Sequence, residues 1–260
     1  MASIAPGGAW AVAVRSRRTS ILGGLTQLSP SEVATPGLIG SVNLVAWNRD
    51  GSYALLYSAP GNQLQRVRFT SGGPSVETPL DLSAWGKATA LAIDPTGQKL
   101  AFAIAGSGLF LATGGQSPVA VATGQFAVIA FDDTGARLYA ADLVQQQIVA
   151  LDPSGTAVPF VSFAATNGAA ANPVGLGVSA GGRYLMLADS ARPSVLVYDI
   201  ASQSLANTIP LASAPSRMEA LSSGPAFLLN GANPKESLLI LDGRDTPNVY
   251  FVPAGGATNQ

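Results

Sequence analysis

The chemistry open to this 260-residue chain is limited first by two residue types that it lacks, histidine and cysteine. Without histidine it has neither the commonest metal ligand nor the usual general base of hydrolytic triads. Without cysteine it has no disulfide, no thiolate metal site and no thiol nucleophile. The sequence also contains no nucleophile elbow, phosphate-binding loop, dinucleotide fingerprint or zinc signature. Any chemistry would therefore depend on carboxylates, amides and hydroxyls.

Several oxygen-bearing residues stand where an apolar run ends, and the two carboxylates among them are the most suggestive: Ser58, Asp142, Asp189 and Asn230. Carboxylate and amide oxygens suit a hard cation such as calcium. In the alternative interpretation, Asp142 and Asp189 cap loops by accepting hydrogen bonds from nearby backbone N–H groups. Both interpretations are compatible with the sequence.

The formal net charge is −1, so the chain as a whole has no attraction to nucleic acid or to an anionic membrane. A short basic cluster, Arg15-Ser16-Arg17-Arg18, stands out locally. It lacks interleaved aromatic residues, which argues against nucleic-acid binding. No apolar run reaches the 18 or so residues of a membrane span, so we expect no membrane insertion.

An internal repeat must position these side chains. Its clearest copies, Leu91–Phe102 and Ile129–Ala140, each contain an apolar strand, an Asp-x-x-Gly turn and a second apolar strand. The matching turn glycines recur at blade-sized intervals of about 40 to 50 residues: Gly8, Gly51, Gly97, Gly135, Gly182 and Gly224. A later apolar strand of the unit ends in Asp, as at Tyr198-Asp199. Four strands in such a unit are typical of a propeller blade.

The repeat predicts an all-β fold, a six-bladed β-propeller of four-stranded antiparallel blades that fills residues 1–260. The predicted blades are roughly 1–37, 38–80, 81–122, 123–163, 164–212 and 213–260. Asn248 to Val252 would complete the sixth blade, whereas only Ala2 to Ala5 remains for the innermost strand of the first. We therefore expect imperfect ring closure, or closure by residues upstream of Met1.

The repeat also predicts which charged residues lie on each of the two faces of the propeller. The basic face is formed by the loops between second and third strands and by the starts of the innermost strands. It carries Arg15, Arg17, Arg18, Lys87, Arg192, Arg217 and Lys235, against Asp142, Asp189 and Glu236. The opposite, acidic face carries Asp50, Asp94, Asp132, Asp133, Asp152, Asp199, Asp242 and Asp245, against Arg49, Lys99, Arg137, Arg183 and Arg244. Such a dipolar disc would orient toward an anionic glycan, small molecule or protein surface. Alternatively, these are ordinary solvated loop charges.

The unit Pro173–Asp189, followed by Ser194–Asp199, resembles the YVTN and NHL-type propeller repeats of exported bacterial proteins. The resemblance covers nearly the whole chain and is specific for the fold. It implies little about activity, because these families include lactonases, lyases and adhesion modules. Lactonases that resemble the chain hold a cation in the central channel and usually include a glutamate ligand. Glu219 is the candidate here, beside Asp142 and Asp189.

The sequence thus favours a non-enzymatic binding module of an exported protein, with Arg15, Arg17, Arg18, Lys87, Arg192 and Arg217 as its candidate contacts and no cofactor. One alternative is a calcium-dependent, lactonase-like hydrolase that acts at the central channel. The other is an engineered or reconstructed scaffold, which the abrupt start of the repeat after Met1 would explain. The resemblance implies a periplasmic or secreted location, although the first residues do not form a signal peptide.

Overall fold

The fold is a ring of six antiparallel four-strand sheets, which confirms the predicted six-bladed β-propeller. The computed structural model describes residues 1–27, 30–152, 155–164, 170–221, 224–230 and 237–253. Within these ranges, no helix is long and apolar enough to cross a membrane.

Each blade is one contiguous stretch of chain, and its first strand is innermost. The first blade contains β1 (Ala2–Ile4), β2 (Trp10–Arg15), β3 (Arg18–Gly23) and β4 (Ser31–Val33). The second contains β5 (Leu44–Trp47), β6 (Tyr53–Ser58), β7 (Gln63–Thr70) and β8 (Gly73–Val76), and β9 (Leu80–Asp81) also pairs with β7. The third contains β10 (Ala88–Ile93), β11 (Lys99–Ile104), β12 (Gly108–Thr113) and β13 (Val119–Ala122). The fourth blade contains β14 (Phe126–Phe131), β15 (Leu138–Asp142), β16 (Gln147–Leu151) and β17 (Ala157–Ser162). The fifth contains β18 (Pro173–Val178), β19 (Tyr184–Asp189), β20 (Ser194–Asp199) and β21 (Ser204–Pro210). The sixth contains β22 (Glu219–Ala220), β23 (Ala226–Leu228), β24 (Leu238–Asp242) and β25 (Asn248–Val252).

The turn between the first two strands is built in the same way in several blades. In blades two, three and five its first residue, Asn48, Asp94 or Ser179, is buried. The side-chain oxygen of each accepts a hydrogen bond of 2.7 to 2.9 Å from the backbone N–H five residues later. The turn ends in the left-handed conformation that glycine adopts without steric cost: Gly8, Gly51, Gly97, Gly135 and Gly182 have φ between 69° and 73°. Ser222 and Ser223 of the sixth turn lie outside the described residues.

Apolar side chains hold neighbouring blades together. A buried cluster lies between blades one and two, two and three, three and four, four and five, and five and six. Tyr57 and Phe102, for example, are 1% and 0% exposed between the second and third blades. Because interiors are packed at nearly crystalline density, these clusters fix the position of each blade against the next.

The junction between the sixth and first blades differs from the other five. Among the described residues, no buried cluster, hydrogen bond or ion pair joins these two blades. Several large apolar side chains on them are instead between 42% and 60% exposed: Met1, Ile4, Leu221, Tyr250, Phe251 and Val252. β1 and β25 belong to different sheets, so no strand among the described residues is exchanged between the first and sixth blades.

Candidate functional site

A two-residue turn in the first blade displays exposed arginines on the basic face. Ser16 and Arg17 connect β2 to β3, and Arg15 pairs with Arg18 across the hairpin. The φ angles of Ser16 and Arg17 are 48° and 70°. Positive φ at both positions is what a type I′ hairpin turn requires, and it usually selects asparagine and glycine. We call residues 15–18 the arginine turn.

The arginine turn is tied to the connection between the first two blades. Ser41 donates two hydrogen bonds to the carbonyl oxygen of Arg17, from its backbone N–H at 2.9 Å and from its hydroxyl at 3.0 Å. A non-glycine residue in the left-handed region costs on the order of 1 kcal/mol, and it persists where the surroundings hold it in place. Arg17 is therefore held at the tip of the hairpin in one backbone conformation.

The charged groups at the turn differ in how they are paired. Arg15 and Arg17 are exposed and form no ion pair with another described residue, and the same holds for Lys87, which immediately precedes β10. Arg18 is bound to Glu32, with 2.6 Å between Nη2 and Oε1. Glu32 Oε1 also accepts a hydrogen bond of 2.9 Å from the hydroxyl of Ser20.

A shallow groove of about 440 Å³ runs beside the arginine turn. Arg17, Arg18, Ser20, Glu32 and Thr35 are among its lining residues. Guanidinium and hydroxyl groups are the donors that bind sulfate, carboxylate and phosphate oxygens. Among the described residues that line the groove, Glu32 is the one carboxylate, and it lies against Arg18, where a bound anion would compete with it.

The other two predicted binding arginines have partners of their own. Arg192 pairs with the buried carboxylate of Asp189 and donates a 3.0 Å hydrogen bond from Nη2 to the carbonyl oxygen of Phe163. Arg217 Nη1 lies 3.0 Å from Glu219 Oε2. The structure thus separates the six candidates into an exposed, unpaired set of Arg15, Arg17 and Lys87 and a paired set of Arg18, Arg192 and Arg217. Lys235 and Glu236, also placed on this face from the sequence, lie outside the described residues.

The three candidate calcium ligands are not brought together. Asp142 and Asp189 end second strands, one strand away from the channel, and each Oδ1 accepts backbone N–H bonds of its own loop at 2.9 and 3.0 Å. Glu219 instead lies on the channel wall. The described residues contain no group of three or more acidic side chains arranged to hold a metal ion. The calcium site stays a prediction. It would be ruled out by melting curves in which millimolar calcium leaves the melting midpoint unchanged.

The central channel contains a cavity of about 260 Å³ that opens toward the acidic face. The second halves of the innermost strands supply most of its wall, to which polar and apolar atoms contribute almost equally, and Arg49, Asp132 and Asp133 lie at its mouth. Arg49 Nη1 contacts Asp133 Oδ1 at 2.5 Å, although the two residues belong to the second and fourth blades. Asp133 Oδ2 also accepts a 3.2 Å hydrogen bond from the N–H of Gly181 in the fifth blade.

Sequence reasoning missed this link across the channel mouth. Arg49 and Asp133 occupy the second position of their turns, immediately after Asn48 and Asp132. The signal available was the doublet Asp132-Asp133, because the first aspartate suffices to cap the turn. Its Oδ1 accepts the N–H groups of Thr134 and Ala136 at 3.1 and 2.9 Å. The second aspartate is thereby left for a contact between blades.

Comparison with known proteins places the chain by fold alone. No protein-family profile matches it, and neither does any curated protein. A provisionally assigned 6-phosphogluconolactonase from Bacteroides uniformis is 15% identical, with a TM-score of 0.63 over 96% of this chain and 87% of that one. A functionally unknown protein from Desulfotomaculum acetoxidans is 13% identical, with a TM-score of 0.65 over 94% and 78%. The propeller domain of Cps50 (Swd1) from Myceliophteria thermophila is 15% identical, with a TM-score of 0.61 over 81% and 70%. At these identities the similarity shows the propeller fold, and the YVTN/NHL assignment stays a prediction.

Proposed function

We propose that this propeller is a non-enzymatic binding module of an extracytoplasmic protein and that its basic face binds an anionic glycan through the arginine turn. The proposal is carried by Arg15 and Arg17, which are exposed and have no ion-pair partner among the described residues. Both lie on a hairpin turn that hydrogen bonds from Ser41 hold in place. A turn that needs positive φ at Arg17 is a costly place for arginine unless its side chain is used.

The distribution of charge over the two faces supports the same partner. On the acidic face three of the five cations, Arg49, Arg183 and Arg244, already contact aspartates. On the basic face, Arg15, Arg17 and Lys87 keep their charge available to a ligand. A polyanion would therefore be attracted to one side of the disc and repelled by the other.

Arg17→Gly is the sharpest test of the proposal. Glycine adopts the φ of 70° without steric cost, so the variant should fold at least as well as the parent protein while losing the central guanidinium. We expect its affinity for dextran sulfate, measured by calorimetry at low salt, to fall about 10- to 150-fold, since one charge-assisted contact contributes about 1.5–3 kcal/mol. Arg244→Ala removes one exposed cation from the acidic face and serves as the matched control, with affinity unchanged.

Glu32→Gln tests the groove from the opposite direction. Removing the carboxylate frees Arg18 and deletes the one negative charge among the groove residues, so we expect tighter binding of dextran sulfate. The proposal is wrong if the parent protein does not bind dextran sulfate at low salt, or if Arg244→Ala weakens binding as much as Arg17→Gly. If an acidic peptide of matched charge binds as tightly as dextran sulfate, the ligand of the basic face is an acidic protein surface and not a glycan.

A further inference from the structure

Inside the mouth formed by Asp132 and Asp133, the described residues place one carboxylate on the channel wall, in a ring of small residues. Five positions before each turn glycine, the innermost strands contribute one residue to the lining of the cavity: Ser3, Ala46, Ala92, Ala130, Gly177 and Glu219. Five of these six side chains are no larger than a hydroxymethyl group. The sixth is Glu219, whose side chain is 40% exposed and lies against Arg217.

The hydrogen bonds in the channel determine which sign of charge it can accept. Glu219 Oε2 is paired with Arg217, whereas Oε1 has no hydrogen-bond partner among the described residues. At the mouth, Asp132 Oδ1 accepts the bonds of its turn, and Oδ2 has no such partner within the described ranges. Both guanidiniums near the cavity, those of Arg49 and Arg217, are already engaged by carboxylates. The channel thus offers unused acceptor oxygens to a positively charged ligand.

The residues of the cavity wall indicate the size of the ligand and the kind of group that accompanies its positive charge. Trp47, Phe131 and Phe227 line the cavity together with aliphatic residues such as Leu91 and Ile129. Aromatic rings attract organic cations through their negatively charged faces, and the aliphatic surface stabilises an apolar body by burial. A volume of about 260 Å³ lies just below the roughly 300–1,000 Å³ of sites for drug-sized ligands, so the guest is small.

We propose that the channel binds a small primary amine with an apolar tail, whose ammonium group pairs with Glu219 while its tail lies against the apolar side chains of the wall. Asp132 and Asp133 at the mouth attract the cation toward the opening. This site lies on the acidic side of the disc and does not depend on glycan binding at the arginine turn.

Calorimetry with n-hexylammonium and with hexanoate tests the sign of the charge, because the two probes have tails of similar length. We expect hexylammonium to bind and hexanoate not to bind. Glu219→Gln should weaken amine binding about tenfold, since it removes one charge-assisted contact at nearly constant volume. Asp132→Asn keeps an oxygen for the turn bonds and should weaken binding less.

Asp152→Asn is the control for a general loss of negative charge, because Asp152 belongs to the acidic face outside the cavity. Its affinity for hexylammonium should stay within about twofold of the parent value. The proposal is overturned if hexanoate binds as tightly as the amine, if the amine does not bind at millimolar concentration, or if Asp152→Asn matches Glu219→Gln. If Glu219→Gln does not fold, as judged by its melting curve, the comparison of Asp132→Asn with Asp152→Asn decides instead.

Discussion

Aspartates at different positions of the turn between the first two strands perform different tasks. Asp94 is 3% exposed and accepts hydrogen bonds from the Lys99 N–H at 2.7 Å and from the Thr96 hydroxyl at 2.6 Å. Asp50 is exposed and accepts a 2.9 Å bond from the N–H of Ser52. A buried acceptor that satisfies a strand N–H contributes more to stability than an exposed one, because its loss leaves the donor without a partner.

At the scale of residues we therefore predict a large difference between two substitutions. Asp94→Ala should lower the free energy of unfolding by about 2 kcal/mol, because it removes a buried carboxylate and leaves the partly buried N–H of Lys99 without its acceptor. Asp50→Ala should lower it by about 0.5 kcal/mol, as is usual for an exposed site. Denaturant melts of both variants measure the difference, and equal losses would contradict this account of the turn.

At the scale of elements, the number of blades could be predicted because glycines with positive φ recur at the same turn in most blades. The pairing of Arg18 with Glu32 could not, because it depends on how β3 and β4 come together, and no turn motif fixes that register. The contact between Arg49 and Asp133 was also beyond reach, since it joins turns of the second and fourth blades across the channel. Repeats specify what each blade contains, whereas contacts between blades depend on how the ring is assembled.

The two terminal blades should be the least stable elements. Residues of β15 are fully buried between the clusters of their neighbours, whereas the first and last blades each contribute to one cluster among the described residues. Local opening is easiest where buried apolar contact is least. We therefore expect amides of β1 and β25 to exchange with deuterium faster than those of β15. Equal protection in all six blades would show that the junction between the ends of the chain is as firmly packed as the others.

At the scale of the whole molecule, the absence of histidine predicts how stability depends on pH. Hydrogen bonds from Ser83 hold the pKa of Asp81 below its ordinary value of 3.8, and the Ser202 N–H does the same for the pKa of Asp199. A carboxyl whose pKa is lowered on folding adds stability above pH 3.8, and this stability is lost as the pH falls through the lowered value. The melting temperature should thus stay nearly constant from pH 5 to pH 8, where histidine would titrate, and fall below about pH 4. A clear transition near pH 6.5 would contradict this prediction.

Among the described residues, the basic face presents three exposed cations without an ion-pair partner, whereas three of the five cations on the acidic face contact aspartates. The proposed glycan binding rests on that asymmetry. Hydrogen exchange with and without dextran sulfate at low salt tests it most directly, because it reports which face the ligand covers. We predict protection at residues 15–18 and 40–42, with no change at the acidic-face turns 94–97 and 132–135. Protection of the acidic-face turns, or no protection on either face, would contradict the account.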